Sequence, residues 1–328
     1  MNVIKKSISI LVAMVLMLSL SIGVFADANI YKVQSGDVLW KIAASNQTTW
    51  KNLAQINNIK NPHLIFPGQE IVLSKKLSNG EKVVSLLESI ETGDMAPIAY
   101  INPDKYIQHN LSAKDGLAGF GELLGMLPKG SAKVNVVRVI EDGDFVVTHT
   151  EYDFFGPKVG IDMFRFENGL IVEHWDNLSE ITPANPSGHT QFDGPTKITS
   201  KGLTEKNKAL VTSFLNTVLV EEKYDQMQSF FDGDNYIQHN SNIADGLSGL
   251  NAAIGGLAEQ GVFMKYDKVH YVIGEGNFVL GVSEGSFGGA PFAFYDIFRV
   301  ENNKIAEHWD VMAPIPAVED RMNDNGKF

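Results

Sequence analysis

The spacing of apolar and polar residues changes several times along this chain. A predominantly apolar run covers residues 8–25. Between residues 30 and 73, two stretches with helical spacing lie between two short alternating stretches, which predicts the order strand, helix, helix, strand. From residue 77 onward, an amphipathic helix, a second helix and a series of alternating stretches occur twice. Helices followed by antiparallel strands predict an α+β fold.

Polar residues repeat together with this apolar pattern. The motif Tyr106–Asn110 recurs with identical residues at Tyr236–Asn240, and the motif Glu173–Asp176 recurs at Glu307–Asp310. Repetition at a nearly constant offset indicates an internal duplication. Since the repeated residues are mainly polar, the duplication predicts two pockets of one design.

The repeat and the local composition divide the chain into domains. We predict a small domain at 30–74, a first copy at 77–180, a second copy at 203–313 and a C-terminal tail at 314–328. Residues 181–202 are rich in Pro, Gly, Ser and Thr, which is typical of a linker. As a coil this linker spans about 25 to 30 Å, enough for the two copies to pair.

The N-terminus has the organisation of a secretory signal peptide. Lys5 and Lys6 precede the apolar run, and small residues follow it near Ala26. We therefore predict that residues 1–28 direct export and are cleaved, which leaves a secreted protein without a stable membrane span. The alternative is an uncleaved anchor, because a run of 18 residues just reaches the length of a membrane-spanning helix.

Composition excludes several kinds of site. The chain has no cysteine, so disulfides, thiolate metal sites and a cysteine nucleophile are excluded. Its net charge of −12 disfavours nucleic acid as a partner. No glycine-rich phosphate loop is present, and we predict no cofactor.

The segment from Tyr31 to Leu73 resembles the LysM module. The resemblance rests on Tyr31–Ala43, Asn57–Ile59 and Ile65–Gln69. It implies binding of N-acetylglucosamine-containing glycans, either peptidoglycan or chitin, in a groove between two loops. Carried over residue by residue, the groove consists of Gly36, Asp37, Val38 and Leu39 on one side and Pro62, His63, Leu64 and Ile65 on the other. Position 38 departs from the family, which usually has threonine there.

Helical spacing within this segment predicts its core and its helix caps. Trp40, Ile42 and Leu53 are predicted core residues. Asp37 is predicted to cap the first helix, and a threonine at 48 or 49 the second.

Each copy resembles the SnoaL-like polyketide cyclases of the nuclear-transport-factor-two-like superfamily. The resemblance rests on the two repeated motifs and on the strands that contain Asp162 and Asp296. It implies a curved antiparallel sheet packed on helices around a cone-shaped pocket for a small molecule. It also implies pairing through the sheets, either between the copies of one chain or in a homodimer. Since the superfamily contains cyclases, isomerases, hydrolases and binding proteins, the fold does not determine the reaction.

Strand alternation identifies a candidate catalytic residue. Asp162 shares a strand face with Phe164 and Phe166, so its carboxylate is predicted to lie among apolar side chains, where burial raises its pKa. Such a carboxylate abstracts a proton next to a carbonyl. The resemblance implies that His149 on the preceding strand assists it. Val282 replaces this histidine in the second copy, so we predict that the first pocket is the better candidate for catalysis.

The repeated motifs supply the other predicted pocket residues. In both copies the glutamine and asparagine are predicted to help orient a ligand, whereas His109 and His239 are predicted to be hydrogen-bonded core groups. The predicted pocket residues besides Asp162 are therefore Gln108, Asn110, Gln238, Asn240 and Asp296.

Two alternatives to this interpretation stay open. Asp162 and Asp296 have a structural role instead if they pair with Arg165 and Arg299 or are hydrogen-bonded in the core. In addition, His109, His174 and Asp176 are the ligand types of an iron or zinc site. Their spacing is not diagnostic of a metal, so we predict none.

These features predict an exported protein that is associated with cell-wall glycan and displays two pockets for a small apolar or carbonyl-containing ligand. Three classes of function stay open. Either the first pocket catalyses aldol, cyclase or isomerase chemistry, or both pockets bind ligands or proteins without chemistry, or the chain is a peptidoglycan hydrolase. The last class requires two carboxylates beside an open groove, and the sequence does not identify such a pair.

Overall fold

The chain folds into two compact units. The computed structural model describes residues 30–46, 48–73, 77–127 and 130–328, so the predicted signal peptide at 1–28 lies outside the described residues. One unit ends at Lys76, and the other extends from Leu77 to Phe328. None of the helices in the described ranges has the length and apolar character to cross a bilayer.

The first unit has the predicted order of elements. Strand β1 (Ile30–Lys32) pairs antiparallel with β2 (Glu70–Val72), and helices α1 (Leu39–Ser45) and α2 (Trp50–Ile56) connect them. Apolar side chains from these elements form one core. Its buried members are Val33, Leu39, Ile42, Ala43, Leu53, Ile71 and Leu73.

The prediction that Trp40 belongs to this core is wrong. Its side chain is 58% exposed, whereas Leu39 and Ile42 are buried. Because successive residues of a helix lie about 100° apart, the stripe that contains Leu39 and Ile42 turns Trp40 toward solvent.

The predicted caps are right for one helix and wrong for the other. Thr49 caps α2, since its Oγ1 accepts a hydrogen bond from the backbone N of Asn52. Asp37 does not cap α1. Its carboxylate instead accepts hydrogen bonds from Tyr31 Oη and from the backbone N of Gln34, each at 2.7 Å.

The second unit contains the two copies, each built around a five-stranded sheet. The elements of the first copy are α3 (Asn79–Thr92), β3 (Ile107–Gln108), α4 (Gly116–Met126), β4 (Lys133–Asp142), β5 (Phe145–Asp153), β6 (Pro157–Glu167) and β7 (Leu170–Glu180). Those of the second are α5 (Thr204–Phe214), β8 (Ile237–Gln238), α6 (Gly246–Glu259), β9 (Met264–Glu275), β10 (Phe278–Phe287), β11 (Ala290–Glu301) and β12 (Lys304–Pro314).

Both sheets have the same topology. The strand orders are β3-β7-β6-β5-β4 and β8-β12-β11-β10-β9, in which the four long strands are antiparallel. The short first strand of each copy, which contains the repeated Gln, runs parallel to the last. It thereby places the first repeated motif directly beside the second.

Local sequence explains where the main elements begin and turn. Helix α3 begins with a reciprocal capping box between Ser78 and Glu81. The β6–β7 hairpin turns at Asn168 and Gly169, both with positive φ. Such turns match the twist of the strands and need residues that tolerate the left-handed region.

Each sheet has two differently used faces. One face packs against the helices of its own copy, through Phe164 and Phe166 in the first copy and Phe298 in the second. The opposite faces of the two sheets pack on each other and share one core, to which Met163 and Trp175 contribute from the first copy and Trp309 from the second. The two copies therefore pair through their sheets within one chain.

Helix α4 is held weakly. Four of its eleven residues are glycine, and its one buried residue is Gly119. Each glycine in a helix costs about 0.5–1 kcal/mol relative to alanine. Gly119 is required because a Cβ would lie 2.1 Å from the backbone O of Lys114, but Gly121 and Gly125 face open space.

Candidate active site

The first copy encloses a cavity of about 50 Å³ between α3, α4 and the inner face of the sheet. Seven apolar side chains line it, including Phe120 of α4 and Phe164 of β6. Pockets for drug-sized ligands usually measure about 300–1,000 Å³, so in this state the cavity accepts only a very small molecule. Its polar lining residues are Tyr106, Tyr152, Asp162, His174 and Asp176.

Asp162 lies on the cavity side of β6 and is buried. Its Oδ2 accepts hydrogen bonds from Tyr152 Oη at 2.7 Å and Thr148 Oγ1 at 3.4 Å, and its Oδ1 lies 3.3 Å from His174 Nε2. Burial raises the pKa of Asp162, and the hydrogen bonds with His174 and Tyr152 only partly oppose that effect. The carboxyl group therefore exchanges a proton more readily near neutral pH than an exposed aspartate does.

The ion pair with Arg165, one of the alternatives raised by the sequence, is not formed. Arg165 Nε donates to Glu173 Oε2 at 2.6 Å, and its Nη1 lies 2.7 Å from Glu167 Oε1. The guanidinium group thus neutralises two other carboxylates and leaves Asp162 to the cavity.

The repeated Gln fixes the tautomer of His174. Gln108 Oε1 accepts a hydrogen bond from the backbone N of Asn110 and lies 3.0 Å from His174 Nδ1. An oxygen that accepts at both contacts requires the proton of His174 on Nδ1. Nε2 is then free to take the proton of Asp162 or to return it.

A second carboxylate lies next to this pair. Asp176 Oδ2 accepts a hydrogen bond from Asn110 Nδ2 at 2.7 Å, and its Oδ1 lies 3.9 Å from the ammonium group of Lys327. Lys327 also donates to the backbone O of Asp176. Ligand-type atoms of Asp162, His174 and Asp176 all lie within 4.8 Å of one another.

The predicted pocket residues Gln108 and Asn110 do not line the cavity. They hold His174 and Asp176, which do. In the second copy Gln238 and Asn240 hold His308 and Asp310 in the same way, at 3.0 and 2.7 Å. The repeated motif therefore positions acid and base groups rather than contacting a ligand itself.

His149 lies on the other face of the sheet from Asp162, so the predicted pairing of the two residues is wrong. Thr148, not His149, pairs with Asp162 across β5 and β6. The His149 ring lies between the copies, where its Nδ1 is 3.1 Å from Arg138 Nη1. Burial and the neighbouring Arg138 hold the pKa of His149 well below its usual value.

The second copy repeats the same constellation, although Val282 stands at the position of His149. His308 Nε2 lies 3.0 Å from Asp296 Oδ1. Burial lowers the pKa of His308, but the hydrogen bond to Asp296 and the charges of Asp310 and Asp296 outweigh it, so the pKa is raised. Burial likewise raises the pKa of Asp310.

A tyrosine reaches the carboxylate in both copies, but from different strands. In the first copy Tyr152 of β5 faces Val134 of β4. In the second copy the equivalent pair is Gly285 of β10 and Tyr266 of β9, and Tyr266 Oη lies 3.3 Å from Asp296 Oδ2. A side chain at Gly285 is not tolerated, since a Cβ would lie 1.9 Å from the backbone O of Lys265.

The space beside the two carboxylates differs between the copies. Gly160 stands two residues before Asp162, whereas Phe294 stands two residues before Asp296. The Phe294 ring stacks on Tyr266 with a centroid distance of 4.3 Å. In the first copy Tyr152 and Leu178 fill the space beside Gly160, since a Cβ there would lie 2.7 Å from each of them.

His109 and His239 are hydrogen-bonded core groups, as the sequence predicts. His109 Nε2 lies 2.9 Å from Glu173 Oε1, and the ring stacks on Trp175 at 4.6 Å. His239 repeats both contacts with Glu307 and Trp309, at 2.8 and 4.5 Å. Neither imidazole contacts Asp162 or Asp176, which disfavours the metal site that includes His109.

The segment after each sheet crosses to the other copy. The linker strap (residues 181–195) lies against the second copy, where Asn185 Nδ2 donates to the backbone O of Gln238 at 2.7 Å. The C-terminal strap (residues 315–328) lies against the first, where Asn325 Nδ2 donates to the backbone O of Gln108 at 3.0 Å. This part of the predicted linker is therefore not a free coil, because its polar side chains are bonded to the neighbouring copy.

The predicted glycan groove lies in the first unit, on the segments before α1 and before β2. Val38, His63 and Leu64 are exposed, whereas Leu39 is buried and Ile65 packs on the core. The contribution of Leu39 to a groove is thus limited to its backbone.

Comparison with known proteins identifies the small N-terminal domain. Residues 31–74 match the LysM domain. Among curated proteins, the N-acetylmuramoyl-L-alanine amidase sle1 of Staphylococcus epidermidis is 40% identical over 56 residues, which is 17% of this chain and 17% of that protein. A chlorophenol reductase of Desulfitobacterium hafniense is 49% identical over 49 residues, 15% of each chain. The chain thus spans about a sixth of the length of the curated relatives it matches.

Solved structures resemble single copies. A nuclear-transport-factor-two-like protein of unknown function from Cytophaga hutchinsonii is 12% identical, with a TM-score of 0.29, over 32% of this chain and 94% of that one. An LEH-like epoxide hydrolase from M. tuberculosis is 23% identical, with a TM-score of 0.28, over 34% of this chain and 84% of that one. At this similarity they say nothing of activity. Residues 31–74 are a LysM domain, and each of the two copies is a curved sheet packed on helices, as the SnoaL-like resemblance implied.

Proposed function

We propose that the chain is an exported cell-wall protein whose LysM domain binds peptidoglycan-type glycan and displays two small-molecule domains. The match of residues 31–74 to the LysM domain carries the glycan part. The exposed Leu64 and Val38 on the two predicted groove segments offer apolar surface to a sugar ring. The six lysines of residues 30–76, against two acidic residues, suit an anionic wall.

Glycan binding is tested by sedimentation of the protein with purified peptidoglycan. We expect Leu64→Asp to weaken binding about tenfold or more, because it replaces buried apolar contact with a desolvated charge. Ile30→Ser, which changes another exposed apolar residue of this domain, is the matched control and should bind normally. Equal binding by both variants contradicts the groove. Release of labelled fragments by the wild type favours a hydrolase instead.

The first pocket is proposed to transfer protons on a small carbonyl-containing molecule. The carrying observation is that Asp162 lies among apolar side chains beside a cavity, with His174 Nε2 at 3.3 Å. The Asp162 carboxylate takes a proton from the carbon next to the carbonyl, and His174 then accepts it at Nε2 while Gln108 holds its Nδ1 proton. The phenol of Tyr152 donates a hydrogen bond to the Asp162 carboxylate before proton transfer and to the enolate oxygen of the substrate after it.

Ligand entry requires enlargement of the cavity, and α4 is the element that provides it. Phe120 on α4 forms part of the wall, and the helix is glycine-rich and poorly buried. Displacement of such a helix costs little, because few apolar contacts are lost. The cavity of about 50 Å³ lies beside Asp162, so the chemistry is assigned to the first copy and a binding or structural role to the second.

Proton transfer is tested by hydrogen–deuterium exchange of cyclopentanone in D₂O, followed by NMR. We expect the wild type to accelerate exchange and Asp162→Asn to reduce the rate about 100-fold. Asp296→Asn, the matched change in the second copy, should retain it. His149→Val, which introduces the residue of the second copy, should retain it as well. Equal loss in both aspartate variants contradicts the assignment to the first pocket, and no acceleration by the wild type favours the binding alternative.

A further inference from the structure

The linker strap brings His189 and Asp193 against His239 of the second copy. We propose that these three residues form a binding site for a divalent transition-metal ion of the zinc type. The site is separate from both pockets, and the inference does not rest on the function proposed above.

The geometry of the three side chains is close to that of a metal site. Asp193 Oδ1 lies 2.8 Å from His239 Nδ1, and Asp193 Oδ2 lies 3.3 Å from His189 Nδ1. Ligand-type atoms of the three residues all lie within 4.8 Å of one another. Metal bonds of about 2.0–2.2 Å in a tetrahedron place the ligand atoms about 3.3–3.6 Å apart, so small side-chain shifts suffice.

His239 is oriented as a metal ligand. It is 1% exposed, and its Nε2 lies 2.8 Å from Glu307 Oε1. A carboxylate accepts, so Nε2 carries a proton, and this is the carboxylate–histidine arrangement that supports bound metals. Nδ1 then faces two further acceptors at 2.8 Å, the backbone O of Thr190 and Asp193 Oδ1. Only a proton or a cation between them makes these contacts favourable.

His189 shows the same feature. Its Nδ1 faces Asp193 Oδ2, and its Nε2 lies 3.2 Å from Asp245 Oδ2. Both ring nitrogens therefore face carboxylate oxygens. Asp245 holds the Nε2 side of the ring, away from Asp193, so a water molecule is available as the fourth ligand.

The acid cluster in the first pocket is a poorer candidate for this ion. In the first pocket, the Lys327 ammonium group lies 3.9 Å from Asp176 Oδ1 and repels a second cation. Tyr152 and Asn110 already donate to the carboxylates there. The C-terminal strap, which occupies the position of the linker strap on the first copy, contains no histidine. The proposed site is thus particular to the linker strap.

Ligand chemistry narrows the choice of ion. Two imidazoles and one carboxylate suit Zn²⁺, Co²⁺ or Ni²⁺, whereas Mg²⁺ and Ca²⁺ prefer oxygen ligands. A bound ion joins the segment between the copies to the second copy. Metal binding is therefore expected to stabilise the second unit.

The proposal is tested by titration of tag-free, EDTA-treated full-length protein with Co²⁺ and with Zn²⁺. We expect one ion per chain, a visible absorption band of tetrahedral Co²⁺ and a higher thermal unfolding midpoint with Zn²⁺. His189→Ala and Asp193→Asn each should lower the affinity at least about tenfold. His63→Ala, which removes an exposed imidazole from the first unit, is the control and should leave binding unchanged.

Three results would overturn the proposal: no binding by the wild type, binding that both strap variants retain, or binding that is lost only with His174→Ala. The last result places the ion in the first pocket. His189 is partly exposed and Asp193 is exposed, so both variants should fold, and their unfolding midpoints in EDTA check this.

Discussion

Glu307→Ala is expected to lower the free energy of unfolding of the second unit by about 3–5 kcal/mol. The Glu307 side chain is 1% exposed and is bonded to His239 Nε2 at 2.8 Å and to Arg299 Nε at 2.6 Å. Its removal leaves the buried His239 without its carboxylate acceptor and leaves Arg299, which is partly buried, with only the exposed Glu301 as a partner. Loss of the buried member of such an ion network is strongly destabilising.

Urea unfolding followed by tryptophan fluorescence measures this effect, since Trp309 stacks on His239. Glu301→Ala is the matched control. Glu301 pairs with the same arginine through Nη1 at 2.7 Å, but its side chain is 59% exposed, so its removal should cost less than about 1 kcal/mol. Similar losses in the two variants would show that the buried ion network is not what stabilises this copy.

Removal of residues 321–328 is expected to destabilise the first copy by about 4 kcal/mol. The side chains of Asn323 and Asn325 donate four hydrogen bonds to the first repeated motif and the turn that follows it. Each contributes about 1 kcal/mol, and the acceptors include buried backbone oxygens that water does not reach in the folded state. The loss should therefore appear in the copy that precedes the deletion by some 200 residues in sequence.

Amide hydrogen exchange locates this effect. Protection should decrease in residues 106–115 of the first copy and change little in residues 236–245 of the second, which the linker strap covers. Asp324→Ala, which changes an exposed side chain within the same strap, should exchange like the wild type. A decrease confined to the end of β12 would mean that the strap does not stabilise the first copy.

Much of the fold follows from the sequence because the duplication shows the same pattern twice. The alternation that placed Asp162 with Phe164 and Phe166 is confirmed by their common position on the helix side of the sheet. The pairing of sheets within the chain follows from the second apolar face of the same strands, exemplified by Met163 and Trp175.

The partner of Asp162 was missed although the sequence contained its signal. His174 and Asp176 alternate with Glu173 and Trp175, so their side chains share one face of the strand. The second copy repeats this motif without change. Register decided the rest: Asp162 pairs with Asp176 across β6 and β7, and Phe164 with His174. The choice of His149 rested on family resemblance, whereas alternation along β5 turns Thr148, not His149, toward Asp162.

Other features have no local signal. The tyrosine that contacts the carboxylate lies on β5 in the first copy (Tyr152) and on β9 in the second (Tyr266). That the two positions are equivalent follows from the pairing of neighbouring strands, which the sequence of a single strand does not encode. The straps are polar and rich in Asn, Pro and Gly, as solvated linkers are, and only their contacts with distant backbone oxygens distinguish them.

The crossing of the two straps gives the unit the connectivity of an exchanged dimer fused head to tail. Each copy is covered by a peptide that follows the sheet of the other copy, so a separated half would lack these contacts. An ancestral single copy with the same extension would form these contacts by exchanging its C-terminal extension with a second copy in a domain-swapped dimer. After fusion of two such genes the two straps can diverge independently. His189, which has no counterpart in the C-terminal strap, is a difference of this kind.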